Sequence, residues 1–170
     1  MTKSNYAFID SQNLNLAVRD QGWKLDYLKF RVYLKDKFNV GKAFLFIGYI
    51  PANYKLYEAL RKDGYELVFK EVVFDRQMVK GNVDAELVLQ CMVELNYFSK
   101  AVIVSGDGDF LCLIKYLTYY DKLEAVVIPN RRKYSSLLRR YRDKIDFLNF
   151  KRAELEYQKS RHNVSGQNPN

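Results

Sequence analysis

The chain has 170 residues, 48% hydrophobic and 28% charged, a composition that supports one packed domain and excludes a disordered or fibrous chain. Its 28 Lys and Arg against 20 Asp and Glu leave a formal charge of +8, which favours an anionic partner, nucleic acid first. No apolar run approaches the ~20 residues of a membrane span or makes a signal-peptide core, so a cytoplasmic chain with no membrane partner is expected.

The first apolar run, Tyr6 to Ile9, is continuous rather than alternating, as in a strand buried on both faces, and it ends on Asp10. Past Gly22, helical periodicity predicts a helix over Leu25 to Phe38. Gly41 then leads into a strand, Ala43 to Ile47. Pro51 precedes a helix over Tyr54 to Lys62, Gly64 follows it, and Glu66 to Val73 is a weaker strand. Beyond Gly81 a helix is expected over Val83 to Phe98, then a strand, Ala101 to Val104, and a helix, Phe110 to Tyr119. A strand over Ala125 to Ile128 stops at Pro129, and a helix over Tyr134 to Tyr141 leads to a last short strand, Ile145 to Leu148.

Strands alternating with helices imply βαβ units. The expected fold is therefore α/β: a Rossmann-like, mainly parallel sheet of about five or six strands with helices on both faces. The domain should occupy residues 1–150, with 151–170 a helical extension and a polar, flexible tail. Cys91 and Cys112 lie in apolar helical patterns without C-x-x-C spacing and are expected as small core residues, not as a disulfide.

In an open parallel sheet, ligands bind at the carboxyl ends of the strands. Asp10 ends the first strand, and in "VSGDGDF" Asp107 and Asp109 follow another. Asp84 joins them from a helix start: the residues on its face, Leu87, Val88, Cys91 and Leu95, form an apolar stripe, so Asp84 points inward. Helix capping would explain any one of these acids. It would not explain four at one end of one sheet, where like charges repel unless a cation sits among them.

The candidate ligands are all oxygen donors, Asp10, Asp84, Asp107 and Asp109 with Asn13 near by, which favours Mg²⁺ or Mn²⁺. The single histidine, His162, lies in the polar tail, which removes His-based zinc and His-His acid/base chemistry. No phosphate-binding glycine motif is present. Positive charge concentrates late: "PNRRKYSSLLRRYR" interleaves Arg131, Arg132, Lys133, Arg139 and Arg142 with Tyr134 and Tyr141. Basic groups there can hold a nucleic-acid backbone while rings stack unpaired bases. Ser105 can meet a phosphate or cap the helix that follows.

"FIDSQNL" (Phe8 to Leu14), "KGNVDAELVLQCM" (Lys80 to Met92) and "IVSGDGDFLCLI" (Ile103 to Ile114) resemble, in order and spacing, the three acidic blocks of NYN domains of the LabA-like type, a branch of the PIN-like superfamily of metal-dependent ribonucleases. "LRKDGYEL" and "VVIPNRRKYSSLLRRYRDKIDFL" extend the resemblance, with Ser135, Leu138, Arg139 and Asp143 at the familiar spacing. It covers roughly residues 5 to 150 and implies a metal site of Asp10, Asp84, Asp107 and Asp109 with Asn13 beside it. Asp10 and Asp107 would be the principal ligands, and the products would carry 5′ phosphates. Ser11 and Gly108 depart from the family's usual glycine and serine, so Gly108 removes a hydroxyl from the site.

A divalent ion held by acids on a basic protein suits phosphodiester hydrolysis. The expected function is a Mg²⁺- or Mn²⁺-dependent ribonuclease on single-stranded or loop RNA. The alternative is an RNA-binding or regulatory module on the same fold without useful cleavage. Oligomeric state and protein partners stay open.

Overall fold

The computed structural model describes residues 3–70, 73–75, 78–80 and 83–159. In chain order its elements are β1 (Asn5–Asp10), α1 (Ser11–Arg19), α2 (Tyr27–Phe38), β2 (Val40–Gly48), α3 (Tyr54–Lys62), β3 (Tyr65–Lys70), β4 (Val73–Asp75), β5 (Met78–Lys80), α4 (Asp84–Val93), β6 (Ala101–Val104), α5 (Leu111–Tyr119), β7 (Leu123–Ile128), β8 (Ile145–Phe147) and α6 (Arg152–Leu155). Six strands make one sheet in the order β3-β2-β1-β6-β7-β8, and every neighbouring pair is parallel. β4 and β5 form a separate antiparallel pair.

The period-2 alternation of a strand puts successive side chains on opposite faces of the sheet. Ala7 and Ile9 accordingly join one buried cluster with Leu14, Phe30, Leu34 and Leu60, and Phe8 joins the other with Leu87, Cys91, Ile114 and Leu117. Helices α1 to α3 thus cover one face and α4 and α5 the other. The switch between faces falls where β1 meets β6. No helix among the described residues is long and apolar enough to cross a membrane.

Several local expectations change. Helix α1 was not expected, and Gly41 lies inside β2 rather than before it. Helix α2 starts at Tyr27, two residues after Leu25, because Asp26 caps it, its Oδ1 accepting the Lys29 N–H at 3.1 Å. The weaker strand stops at Lys70, and Val73 opens the small β4–β5 pair. The helix expected to reach Phe98 ends at Val93. Ser136–Tyr141 is a 3-10 helix, not an α-helix: it buries only Leu138 and half-buries Tyr141 three residues on, a spacing the tighter helix satisfies. Cys91 is buried, but Cys112 is exposed on α5.

The chain after residue 150 packs back onto the domain. Leu155 of α6 is fully buried, and the Tyr157 N–H donates to Lys24 O at 2.8 Å. Gly81, Asn82, His162 and the expected tail beyond Lys159 lie outside the described residues.

Candidate metal centre

A parallel sheet binds ligands where the strand order reverses, because the crossovers on either side leave to opposite faces and open a crevice. Here that point is the β1–β6 pair. Its register sets Ile9 beside Val104, so Asp10 and Ser105 leave the sheet side by side. The two turns are then tied together. Asp10 caps α1, its Oδ1 accepting the Asn13 N–H at 3.1 Å. The Ser105 hydroxyl donates to Asp10 Oδ2 at 3.3 Å and accepts the Asp107 N–H at 3.1 Å. Asn13 Oδ1 accepts the Gly106 N–H at 2.9 Å, and Asp107 Oδ1 accepts the Asp109 N–H at 2.9 Å.

Capping therefore accounts for one oxygen each of Asp10 and Asp107. Asp84 comes from a different element, as the first residue of α4 after the cap Val83, which makes no side-chain bond. One carboxylate oxygen from each of Asp84, Asp107 and Asp109 lies within 4.8 Å of the other two. Asp84 and Asp107 are half-buried and Asp109 exposed. Asp10 sits beside this group as its most buried member, 5% exposed. Burial pushes the Asp10 carboxyl up to about 6; the Asn13 and Ser105 hydrogen bonds pull against that shift, and the charges of Asp84 and Asp107 add to it. Among the described residues, no ion pair within 4.0 Å reaches Asp10, Asp107 or Asp109.

These residues fit a hard divalent cation. Asp84, Asp107 and Asp109 all offer hard carboxylate oxygens gathered within 4.8 Å of one another, the donor type that Mg²⁺ and Mn²⁺ take. Anions crowded in this way, beside a fourth whose pKa burial raises and the charges of Asp84 and Asp107 raise further, gain from a positive charge between them. Asp84 gains a smaller share from the N-terminal end of α4, where a negative charge is favourable.

A cleft of about 410 Å³ opens beside the group, lined by Asp10, Asn13, Asp84, Asp107 and Lys133 among others but not by Asp109. Of the basic residues expected at a nucleic acid, Lys133 enters this cleft, paired with Asp20 at 2.9 Å. Arg131 and Arg132 line an adjoining groove. Arg139 on the 3-10 segment and Arg142 just after it are exposed and line neither. Ser105, expected at a phosphate, is 1% exposed, and its hydroxyl is engaged between Asp10 and Asp107.

The NYN domain model matches residues 6–149. The chain belongs to the NYN domain family. A solved structure of a protein of unknown function from Vibrio parahaemolyticus shares the fold, with a TM-score of 0.71 at 24% identity over 86% of this chain and 94% of that one. No curated protein matches. The six-stranded parallel sheet with helices on both faces has the PIN-like architecture that the family implies.

This NYN domain shows why glycine stands at position 108, where the family's usual serine is missing. A Cβ there would fall 2.9 Å from Ser135 Cβ and run into the Ser135 hydroxyl. Ser135 occupies the space, its Oγ accepting the Leu137 N–H at 3.3 Å. A hydroxyl thus stands next to the acid turn after all, supplied by the segment after β7. Gly108→Ser is expected to cost about 1–3 kcal/mol of stability through overpacking, read as a lower Tm, and Gly108→Ser with Ser135→Gly should recover most of it. A single variant as stable as the parent would show that the turn yields.

Two site residues escaped the sequence reading. Asp20 and Gln12 line the cleft, and the missing signal was α1 itself. Once residues 11–19 are helical, Asn13, Leu16, Ala17 and Asp20 follow at i, i+3, i+4 and i+7 along one face, and all four line the cleft.

Proposed function

We propose that this NYN domain is a Mg²⁺- or Mn²⁺-dependent endoribonuclease of the LabA-like type, acting on single-stranded or loop RNA. One observation carries the reading: acids from separate parts of the chain, Asp84 from α4 and Asp107 and Asp109 from the turn after β6, bring carboxylate oxygens within 4.8 Å at the sheet's switch point, and Asp84 and Asp107 face a cleft that also holds Lys133. A pure RNA binder has little use for anions where phosphates must approach.

Asp84, Asp107 and Asp109 would hold the ion, with Asp10 on the inner wall beside Asp84 and Asp107. When bound, the ion supplies charge opposite the scissile phosphate and lowers the pKa of a coordinated water. Asn13 and Ser105 act by position: the Asn13 carbonyl holds the Gly106 N–H and the Ser105 hydroxyl links Asp10 to the Asp107 backbone. Both keep the two acid-bearing turns in register. The Asn13 amide nitrogen orients a water or the phosphate. Lys133 draws the strand into the cleft, while Arg131, Arg132, Arg139 and Arg142 hold its backbone on the surface outside.

Incubating labelled single-stranded RNA with the protein in magnesium or manganese, and separately in EDTA, tests this. The expected result is metal-dependent cleavage to 5′-phosphorylated products. Tight, metal-independent binding without cleavage would overturn it in favour of an RNA-binding module.

A further inference from the structure

The flank of the cleft carries an aromatic ring that neither the core nor the acids account for. Phe150 ends a 3-10 turn, Leu148–Phe150, in which Leu148 is fully buried while Phe150 is 76% exposed. A lone exposed ring is ordinary, so its surroundings decide what it can do. The Arg131 guanidinium lies over it, 5.7 Å from the ring centre. Both residues line a groove of about 820 Å³ with Asn130, Arg132 and Asn149.

The groove is pinned rather than loose. The Arg131 N–H donates to Asn149 Oδ1 at 2.7 Å, Asn149 Nδ2 donates to Gln21 Oε1 at 2.8 Å, and Gln21 Nε2 donates to Pro129 O at 2.8 Å. Buried Asn130 accepts the Arg132 N–H at 3.0 Å. The loop bearing Arg131 is thereby locked to the turn bearing Phe150. The groove adjoins the acid cleft, Asp20 and Lys133 lining both.

We infer that Phe150 and Arg131 form a stacking platform for one unpaired nucleobase of an RNA strand whose backbone passes Lys133 into the acid cleft. The inference rests on the ribonuclease reading and adds where the strand runs. An open ring stacks any base, and cationic side chains beside it neutralise the flanking phosphates. The Asn149 and Gln21 side chains are hydrogen-bonded to each other and to backbone, so the platform selects for an unpaired base rather than for its identity.

Binding of a labelled oligoadenylate to the full chain carrying Asp107→Asn, in magnesium, reads this contact without cleavage. Adding Phe150→Ala is expected to weaken binding about 10-fold, and Phe150→Trp to preserve it. An abasic residue placed at each position in turn should weaken binding to the parent at one position, with no such penalty in the Phe150→Ala variant. Equal affinity of Phe150→Ala and its parent would overturn the platform and leave the ribonuclease reading standing. No binding of RNA by the parent or by the unmodified protein would overturn both.

Discussion

Asp107→Asn is expected to lower the rate of RNA cleavage by at least about 10²-fold while leaving the fold intact. A cation at a reacting phosphate contributes several kcal/mol of charge stabilisation, and each 1.36 kcal/mol is tenfold in rate. The asparagine keeps an oxygen where Oδ1 accepts the Asp109 N–H, so the turn holds and only the charge is lost. Two carboxylates then remain where three converge. Magnesium should raise the Tm of the unmodified protein, since it binds the folded state alone, and raise that of the variant much less. Asp84→Asn should act in the same direction. Cleavage by Asp107→Asn at the parent's rate would overturn the assignment.

Asp10→Asn is expected to make the metal-free protein more stable at neutral pH, by up to about 3 kcal/mol. Burial, against two hydrogen bonds and reinforced by Asp84 and Asp107, raises the Asp10 carboxyl from 3.8 to about 6. The direction is opposite to that of a salt-bridged aspartate. Between about pH 4 and 6 the folded protein keeps a proton that the unfolded chain has released. The stability contributed by protonated Asp10 is thus fully present below about pH 4 and lost as pH rises through 6. Asparagine mimics the protonated form at every pH, so variant and parent should melt alike in EDTA near pH 4 and separate by several degrees at pH 7, at 2–4 °C per kcal/mol for a chain of this size. Magnesium added to the parent at pH 7 should narrow the gap. A gap that does not widen with pH would show that Asp10 carries its charge in the fold without cost.

The strands were legible because a sheet covered on both faces demands continuous apolar runs, and Phe8, Phe44 and Ile103 bury on one face while Ile9, Leu45 and Val104 bury on the other. Helix α1 was not. Its sequence, SQNLNLAVR, carries Ser11, Asn13 and Asn15, all weak helix formers, and its apolar core contact is two residues, Leu14 and Val18. The helix exists because Asp10 caps it and the sheet takes up Leu14 and Val18. Asp20, seven residues past Asn13 on the same face, was hidden with it. The Tyr134–Tyr141 segment failed in the opposite sense, since the spacing of Leu138 and Tyr141 suits an α-helix and a 3-10 helix alike.

The amino-acid order by itself determined the parallel α/β sheet, the four acids at strand and helix ends, and the basic run after β7. Periodicity specifies a face, and the end of a strand specifies an edge, so these needed no contact between distant residues. Only the tertiary structure decided that Asp84, Asp107 and Asp109 meet within 4.8 Å while Asp10 lies buried beside them, that Ser105 binds Asp10, that Ser135 fills the space over Gly108, and that Phe150 flanks the cleft. Separations of a few ångströms between side chains far apart in sequence depend on how α4, β6 and the loops after β7 and β8 close against one another. No local pattern encodes that closure.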